Sequence, residues 1–205
     1  MRKFFVKNNK FSVKYLRIPN FCSTFAPAKV MAKQIAMFKV GIIGPEASGK
    51  STLAQYLAKR YKGMYIPEYA RTYVEAKGTT EITWDELCLI ARHQIEEMES
   101  ISEAVYQQSG LSAERSNNEV VFFDTELIIT KVWFDEAFGR VPQWLNEAIT
   151  RYPMDVYLLT CPDLPWAQDG ARYNGSNEQR QRLFERYQME IEALGIPYYV
   201  IEHKE

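Results

Sequence analysis

The 205-residue sequence is poor in the side chains that build metal centres and disulfide frameworks. Its three cysteines, Cys22, Cys88 and Cys161, are too scattered for zinc ligation and too few for a stapled secreted domain. The only histidines are His93 and His203. A reducing, cytoplasmic setting is therefore expected. No apolar run approaches the roughly 18 residues that a membrane helix needs, so membrane insertion is not expected. Acidic residues are missing from the first 39 positions, which carry nine Lys or Arg. Residues 40–205 are left with 16 basic against 26 acidic side chains, a net charge of −10. So acidic a body suits nucleic acid poorly, because phosphate contacts need clustered Lys and Arg. Residues 1–36 also lack helical or strand periodicity and an apolar secretory core. They read as a basic, unstructured N-terminal extension, with an organellar transit peptide as the other reading.

What is present is one domain, residues 37–205, with an ordinary 46% hydrophobic content. Strand and helix patterns alternate along it, the signature of a parallel sheet covered on both faces. Buried strands are expected at Phe38–Gly44, Met64–Ile66, Glu119–Thr125, Val156–Cys161 and Tyr198–Glu202. Helices are expected at Lys50–Tyr61, from Thr83 to about Gln108, at Glu126–Phe138 and Pro142–Arg151, and after Ser176. Thr83 with Glu86, and Ser176 with Gln179, have capping-box spacing, and Gly195 closes the last helix. The fold class predicted is α/β: a doubly wound, five-stranded, mainly parallel sheet with helices on both faces.

Between the first strand and the first helix stands GPEASGKST, Gly44–Thr52. It meets the pattern G-x-x-x-x-G-K-[ST] of a P-loop in the required strand–turn–helix context. Glycines let backbone N–H groups close around phosphate oxygens, and the helix N-terminus adds partial positive charge. Gly44, Glu46, Ala47, Ser48, Gly49, Lys50, Ser51 and Thr52 are thus candidate ATP-binding residues. Lys50 is expected to reach the β- and γ-phosphates, and the Ser51 hydroxyl to hold Mg²⁺. Guanine-reader (N/T-K-x-D) and LSGGQ strings do not occur, which leaves small-molecule kinases and compact regulatory ATPases.

Asp124 ends the most hydrophobic strand, at the carboxyl edge where ligands bind in open α/β sheets, and suits the Walker-B role of holding Mg²⁺ directly or through water. Glu68 follows the second strand, expected beside the P-loop strand, and is the leading candidate for the base that accepts a substrate hydroxyl proton. Asp124 is the alternative base. Arg71 either anchors the substrate or pairs with Glu68. Residues around 163–182 read as a lid whose Arg172 neutralises charge in phosphoryl transfer. Arg182 reads as a surface residue, and Arg180 is left open. Tyr69, Trp133 and Trp166 are candidates to stack on a flat acceptor ring, and Trp144 reads as core.

The strings GPEASGKSTLAQYLA, YIPEYAR, IARHQIE, FFDTELIITKVW, FGRVPQWL and PDLPWAQDGAR together resemble the ribosylnicotinamide kinase domain of NadR-type proteins over residues 38–202. The resemblance implies a nucleoside/nucleotide-kinase-like P-loop fold and ATP- and Mg²⁺-dependent phosphorylation of nicotinamide riboside at its 5′-hydroxyl. It also implies an aromatic sandwich for the pyridinium ring, mapped to Trp133 and Trp166. The region before the P-loop is too short for the adenylyltransferase module of such proteins, so adenylyl transfer is not expected. A regulatory ATP-binding protein that senses a pyridine metabolite, a kinase for another nucleoside or vitamin, and a monophosphate kinase using Arg71, Arg92 and Arg140 are the competing readings. Oligomeric state has no signal in the sequence.

Overall fold

A computed structural model describes residues 12–13, 37–108, 120–166 and 176–203. Its elements are β1 (Ser12–Val13), β2 (Phe38–Ile43), α1 (Lys50–Tyr61), β3 (Met64–Ile66), α2 (Tyr69–Lys77), α3 (Trp84–Gln108), β4 (Val120–Asp124), α4 (Leu127–Phe138), α5 (Gln143–Arg151), β5 (Val156–Thr160), α6 (Asn177–Leu194) and β6 (Tyr198–Glu202). The sheet order is β1-β6-β5-β2-β4-β3. The five strands from β2 onward run parallel, and β1 adds an antiparallel edge on β6.

Two expectations change here. Ser12–Val13, inside the stretch read as unstructured, pairs with Ile201 and Glu202. The rest of 1–36 lies outside the described residues. The second strand of the domain, β3, does not adjoin the P-loop strand, because β4 pairs with both and separates them. The P-loop strand β2 is thus central, flanked by β4 and β5, and the order reverses on either side of it. That is the switch point at which open α/β sheets leave a crevice at their carboxyl edge.

Alternation along the three central strands explains why both faces need cover. Val40, Ile42, Phe122, Val156 and Leu158 pack with Leu53 and Leu57 of α1 on one face. Ile43, Val121, Phe123, Tyr157 and Leu159 pack on the other against α3, α4, α5 and α6. Residues i and i+2 share a face and their neighbours take the opposite one, so a strand apolar at every position must be sandwiched. Helix α4 is buried nearly all round, with Leu127, Ile128, Ile129, Thr130, Val132 and Phe134 inside. On α6, Leu183, Tyr187 and Ile191 are buried, whereas Leu194, expected on the same face, is exposed at the helix end.

Both capping boxes form. Glu86 accepts from Thr83 N at 2.8 Å, and Ser176 Oγ accepts from Gln179 N at 3.1 Å. Gly195 takes the left-handed conformation that ends α6. Helix α2 was not foreseen: nine residues are short for a helix, and the PEYAR string follows β3 without a cap signal.

Candidate active site

The P-loop lies at the crevice, between β2 and α1. A Cβ on Gly44 would collide with Oγ1 of Thr160 and sit 2.7 Å from its carbonyl oxygen, so only glycine fits there. Gly49 has φ 78° and caps α1 without a side chain, and no acidic residue stands in the first turn. The first N–H groups of α1 and its positive end are therefore presented to an anion. Ala47 takes φ 56°, a left-handed turn that curves the loop and makes an anion-binding concavity of its N–H groups. Ser48 is fully buried and braces the loop from inside: its Oγ donates to Pro45 O and shares a hydrogen bond with Thr160 Oγ1, each at 2.6 Å.

Lys50 folds back onto the loop and donates to Pro45 O at 2.9 Å. Burial lowers its pKa, while Glu68, Asp124 and Glu46 pull it back up. One ammonium is thus within electrostatic reach of all three carboxylates. Asp124 is 1% exposed, in register with Ile42 of β2, and its Oδ2 accepts from Tyr65 Oη at 3.1 Å. Burial raises its pKa, with the nearby Ser51 hydroxyl acting against that. Its Oδ1 is buried and accepts no hydrogen bond. An orphan carboxylate oxygen beside a P-loop hydroxyl suits a hard cation, for which buried acceptor oxygens are the natural ligands. Ser51 and Asp124 therefore fit Mg²⁺. Among the described residues no cluster of three or more His, Cys, Asp or Glu could hold a metal alone, so the remaining ligands would be water and phosphate oxygens.

Thr125, next along, combines two costs. It is β-branched at φ 70°, and its buried Oγ1 has no hydrogen-bond partner. Such a backbone costs roughly 1–3 kcal/mol and persists only where its surroundings hold it. Its N–H donates to Ile42 O at 3.1 Å, extending the β2–β4 ladder by one bond and swinging the chain into α4.

The cleft that opens from the P-loop has a second wall. Glu68, Ala70, Arg71 and Val74 come from the β3–α2 turn and α2, Ile129 and Trp133 from α4, and Leu183 and Tyr187 from α6. Glu68 and Arg71 both line it and pair at 3.3 Å, so the two readings of Arg71 coexist. Asp124 is not among the residues lining the cleft, yet its carboxyl is near enough for the charge of Glu68 to raise its pKa further. Trp133 lines the cleft, but its aromatic neighbour there is Tyr187, whose buried phenol hydrogen-bonds with it. Trp166 does not line it. Tyr69 is not among the lining residues, and its ring centroid lies 3.6 Å from that of His93, the planes tilted by 31°. Arg172 lies outside the described residues. Trp144 is partly buried against the core, with the Arg92 guanidinium 4.9 Å from its ring.

Two groups that the motifs did not single out complete the site. Arg180, left open from sequence, is fully buried and donates to the backbone carbonyls of Glu46 (3.1 Å), Leu164 (2.9 Å) and Ala47 (3.5 Å). His203, after β6, rests against Gly49: a Cβ there would lie 3.0 Å from its Nε2. Asp163 holds His203 by the backbone N–H (2.7 Å) and by Nδ1 (2.5 Å). Arg182 pairs with Glu136 at 2.8 Å on the surface, as expected of it.

Comparison with known proteins covers the same ground. The chain is 28% identical over 166 residues to the trifunctional NAD biosynthesis/regulator protein NadR of Escherichia coli K12, covering 81% of this chain and 38% of that protein. It is 30% identical over 142 residues to the Salmonella typhimurium LT2 protein of the same name, covering 69% of this chain and 32% of that one. The chain thus spans about a third of the length of these curated relatives. A crystal structure of NadR in complex with NAD and AMP-PNP superposes with a TM-score of 0.60 at 22% identity, over 80% of this chain and 44% of that one. The thymidylate kinase of Ehrlichia chaffeensis gives 0.55 at 15% identity, over 83% and 89%. At these identities the structural likeness is one of fold. Residues 39–205, which hold the cleft and every strand of the parallel sheet except the first residue of β2, match the AAA domain family AAA_28, and the chain belongs to that family.

Proposed function

We propose that this chain is an ATP- and Mg²⁺-dependent kinase that phosphorylates a nucleoside at its 5′-hydroxyl in a cytoplasmic setting. Nicotinamide riboside is the first-choice acceptor, and nicotinamide mononucleotide the product. The observation that carries the reading is that Lys50 and Glu68 line one cleft whose far wall holds Trp133 and Tyr187. A phosphate cradle, a carboxylate and an aromatic platform then face one another. The acceptor hydroxyl gives its proton to Glu68 as its oxygen bonds to the γ-phosphorus, and the bond to the β-phosphate oxygen breaks to leave ADP. Lys50 leaves Pro45 O to meet the triphosphate, and its charge opposes the negative charge that builds on the transferred group. Ser51 and Asp124 would hold Mg²⁺, which when bound would supply further charge neutralisation on the phosphates. Trp133 offers its face to a flat ring, and a pyridinium cation gains from it more than a neutral ring does.

The kinship with NadR over most of this chain supports the choice of acceptor. The monophosphate-kinase reading loses support from the positions of its arginines. Arg92 and Arg140 sit over Trp144 and Trp84, outside the cleft lining, which leaves Arg71 as the one of the three that lines it. The test is ADP release with a panel of nucleosides, vitamins and nucleoside 5′-monophosphates. A nucleoside, nicotinamide riboside foremost, should raise it well above basal hydrolysis. If the whole panel leaves the basal rate unchanged while the fold is intact, the reading is wrong. Glu68→Gln should bind ATP normally and lose about 10²–10⁴-fold in kcat; unchanged turnover removes Glu68 as the base.

A further inference from the structure

Three features outside the proposed chemistry stand out: the fully buried Arg180, the His203–Asp163 pair against Gly49, and the buried Glu126 carboxyl behind Asp124. Arg180 reaches furthest. An arginine wholly inside a small domain is rare, because its charge must be met by acceptors on every side. Its acceptors include backbone carbonyls from two loops, each addressed by a different nitrogen. Nε donates to Glu46 O at 3.1 Å, Nη1 to Leu164 O at 2.9 Å and Nη2 to Ala47 O at 3.5 Å, the weakest of the three.

The two P-loop carbonyls are informative because a peptide is planar and trans, so its C=O and N–H point in opposite directions. Glu46 O shares a peptide with the N–H of Ala47, and Ala47 O shares one with the N–H of Ser48. Drawing both oxygens toward Arg180 turns both N–H groups the other way. Arg180 is not among the residues lining the cleft, whereas Glu46, Ala47 and Ser48 are. The left-handed turn at Ala47, φ 56°, is an arrangement that an alanine does not hold by itself.

We propose that Arg180 is a positioning residue for the phosphate cradle: its buried guanidinium holds the outer carbonyls of the P-loop, aims the N–H groups of Ala47 and Ser48 at the nucleotide phosphates, and ties the loop to Leu164. The rigid fork suits this task, since three donors at fixed angles can serve three carbonyls where a lysine ammonium acts as a point charge. Arg180, Leu183 and Tyr187 all lie on the buried face of α6, so the helix that supplies part of the acceptor wall also holds the cradle. The inference rests on reading the P-loop as a triphosphate site and is independent of which acceptor is used.

The test measures binding of a fluorescent ATP analogue to wild type, Arg180→Met and Arg180→Lys, with folding checked by circular dichroism. Arg180→Met should weaken binding about 10- to 100-fold, the range expected when buried carbonyls lose a charged donor. Arg180→Lys should fall between it and wild type. The Michaelis constant for ATP should rise in step while that of the acceptor stays within twofold, a split that a general loss of stability does not produce. A folded Arg180→Met variant that binds within twofold of wild type overturns the proposal. If that variant fails to fold, Arg180→Lys decides alone: affinity equal to wild type overturns the proposal, and a loss supports it. Should wild type bind the analogue while no acceptor is phosphorylated, the kinase reading fails and this inference stands. Should wild type not bind the analogue, both fail.

Discussion

On the P-loop side of the cleft the surface is mainly backbone, whereas the opposite wall is assembled from side chains of three separate elements. The P-loop is over-determined: Gly44 has room for no side chain, Ser48 and Thr160 lock it from inside, and Arg180 grips it from outside. Little there can adapt, which suits a ligand part that never changes. The other wall takes Glu68 and Arg71 from α2 and the turn before it, Trp133 from α4 and Tyr187 from α6. Each can be exchanged without disturbing a hydrogen-bond ladder, so under the kinase reading proposed above this is the side on which acceptor choice would change.

Lys50→Ala should break the P-loop side most severely. Loss of the only Lys in the loop removes charge stabilisation worth about 10²–10³-fold in kcat, with the acceptor's Michaelis constant unchanged. Steady-state kinetics with both substrates varied reads the two effects separately; a variant with near-normal kcat would mean that the loop binds without assisting transfer. On the other wall, Trp133→Leu should leave ATP affinity intact and raise the Michaelis constant for a cationic pyridinium nucleoside about 10- to 30-fold, the range of a desolvated cation–π contact. The uncharged, reduced form of the same nucleoside should lose less. Equal losses for both would make Trp133 a surface for shape and not for charge.

The same division governs how much could be read in advance. The strand–loop–helix around Gly44, the two capping boxes and the terminal carboxylate of β4 are local, and their signals lie within a few residues of one another. Sheet order is not local: β3 follows α1 directly in the chain, yet β4 inserts between β3 and β2 because its run Val120–Phe123 is apolar enough to need burial on both sides. The aromatic residue beside Trp133 in the cleft is also set by distant parts of the chain. Trp166 is prominent in sequence, whereas Tyr187 looks like one more apolar position on an amphipathic helix. Arg180 and Arg182 are two positions apart and alike in sequence. Their fates differ because about 100° of helix rotation per residue carries one to the interior and the other to Glu136 on the surface. His203 left no signal, since its neighbours Asp163 and Gly49 are distant in the chain.

The smallest effect on activity, and the one that sharpens how the two walls are joined, is expected at Glu126. It sits between Asp124, on the metal side, and α4, which carries Ile129 and Trp133 to the acceptor side. It is 2% exposed, and its Oε1 accepts from Ile128 N at 3.0 Å as the cap of α4. Tyr157 reaches its carboxyl over Gly41, where a Cβ would lie 2.6 Å from the Tyr157 ring. Burial pushes this carboxyl up to about 8, against the pull of the Ile128 N–H and the Tyr157 hydroxyl. Between the ordinary carboxylate range and pH 8 the folded protein therefore holds a proton that the unfolded chain has released. The unfolded state binds fewer protons, so stability falls as pH rises through that window: it is full below about pH 4.5 and level again above about 8. Glu126→Gln keeps the shape and cannot titrate. Its unfolding free energy, read from denaturant melts, should gain on that of wild type steadily from pH 5 to pH 8, by on the order of a few kcal/mol at the upper end, with kcat at pH 7 changed less than twofold. Parallel melting curves across that range would mean that the carboxyl is ionised inside the fold, and that water or an altered turn at Thr125 reaches it.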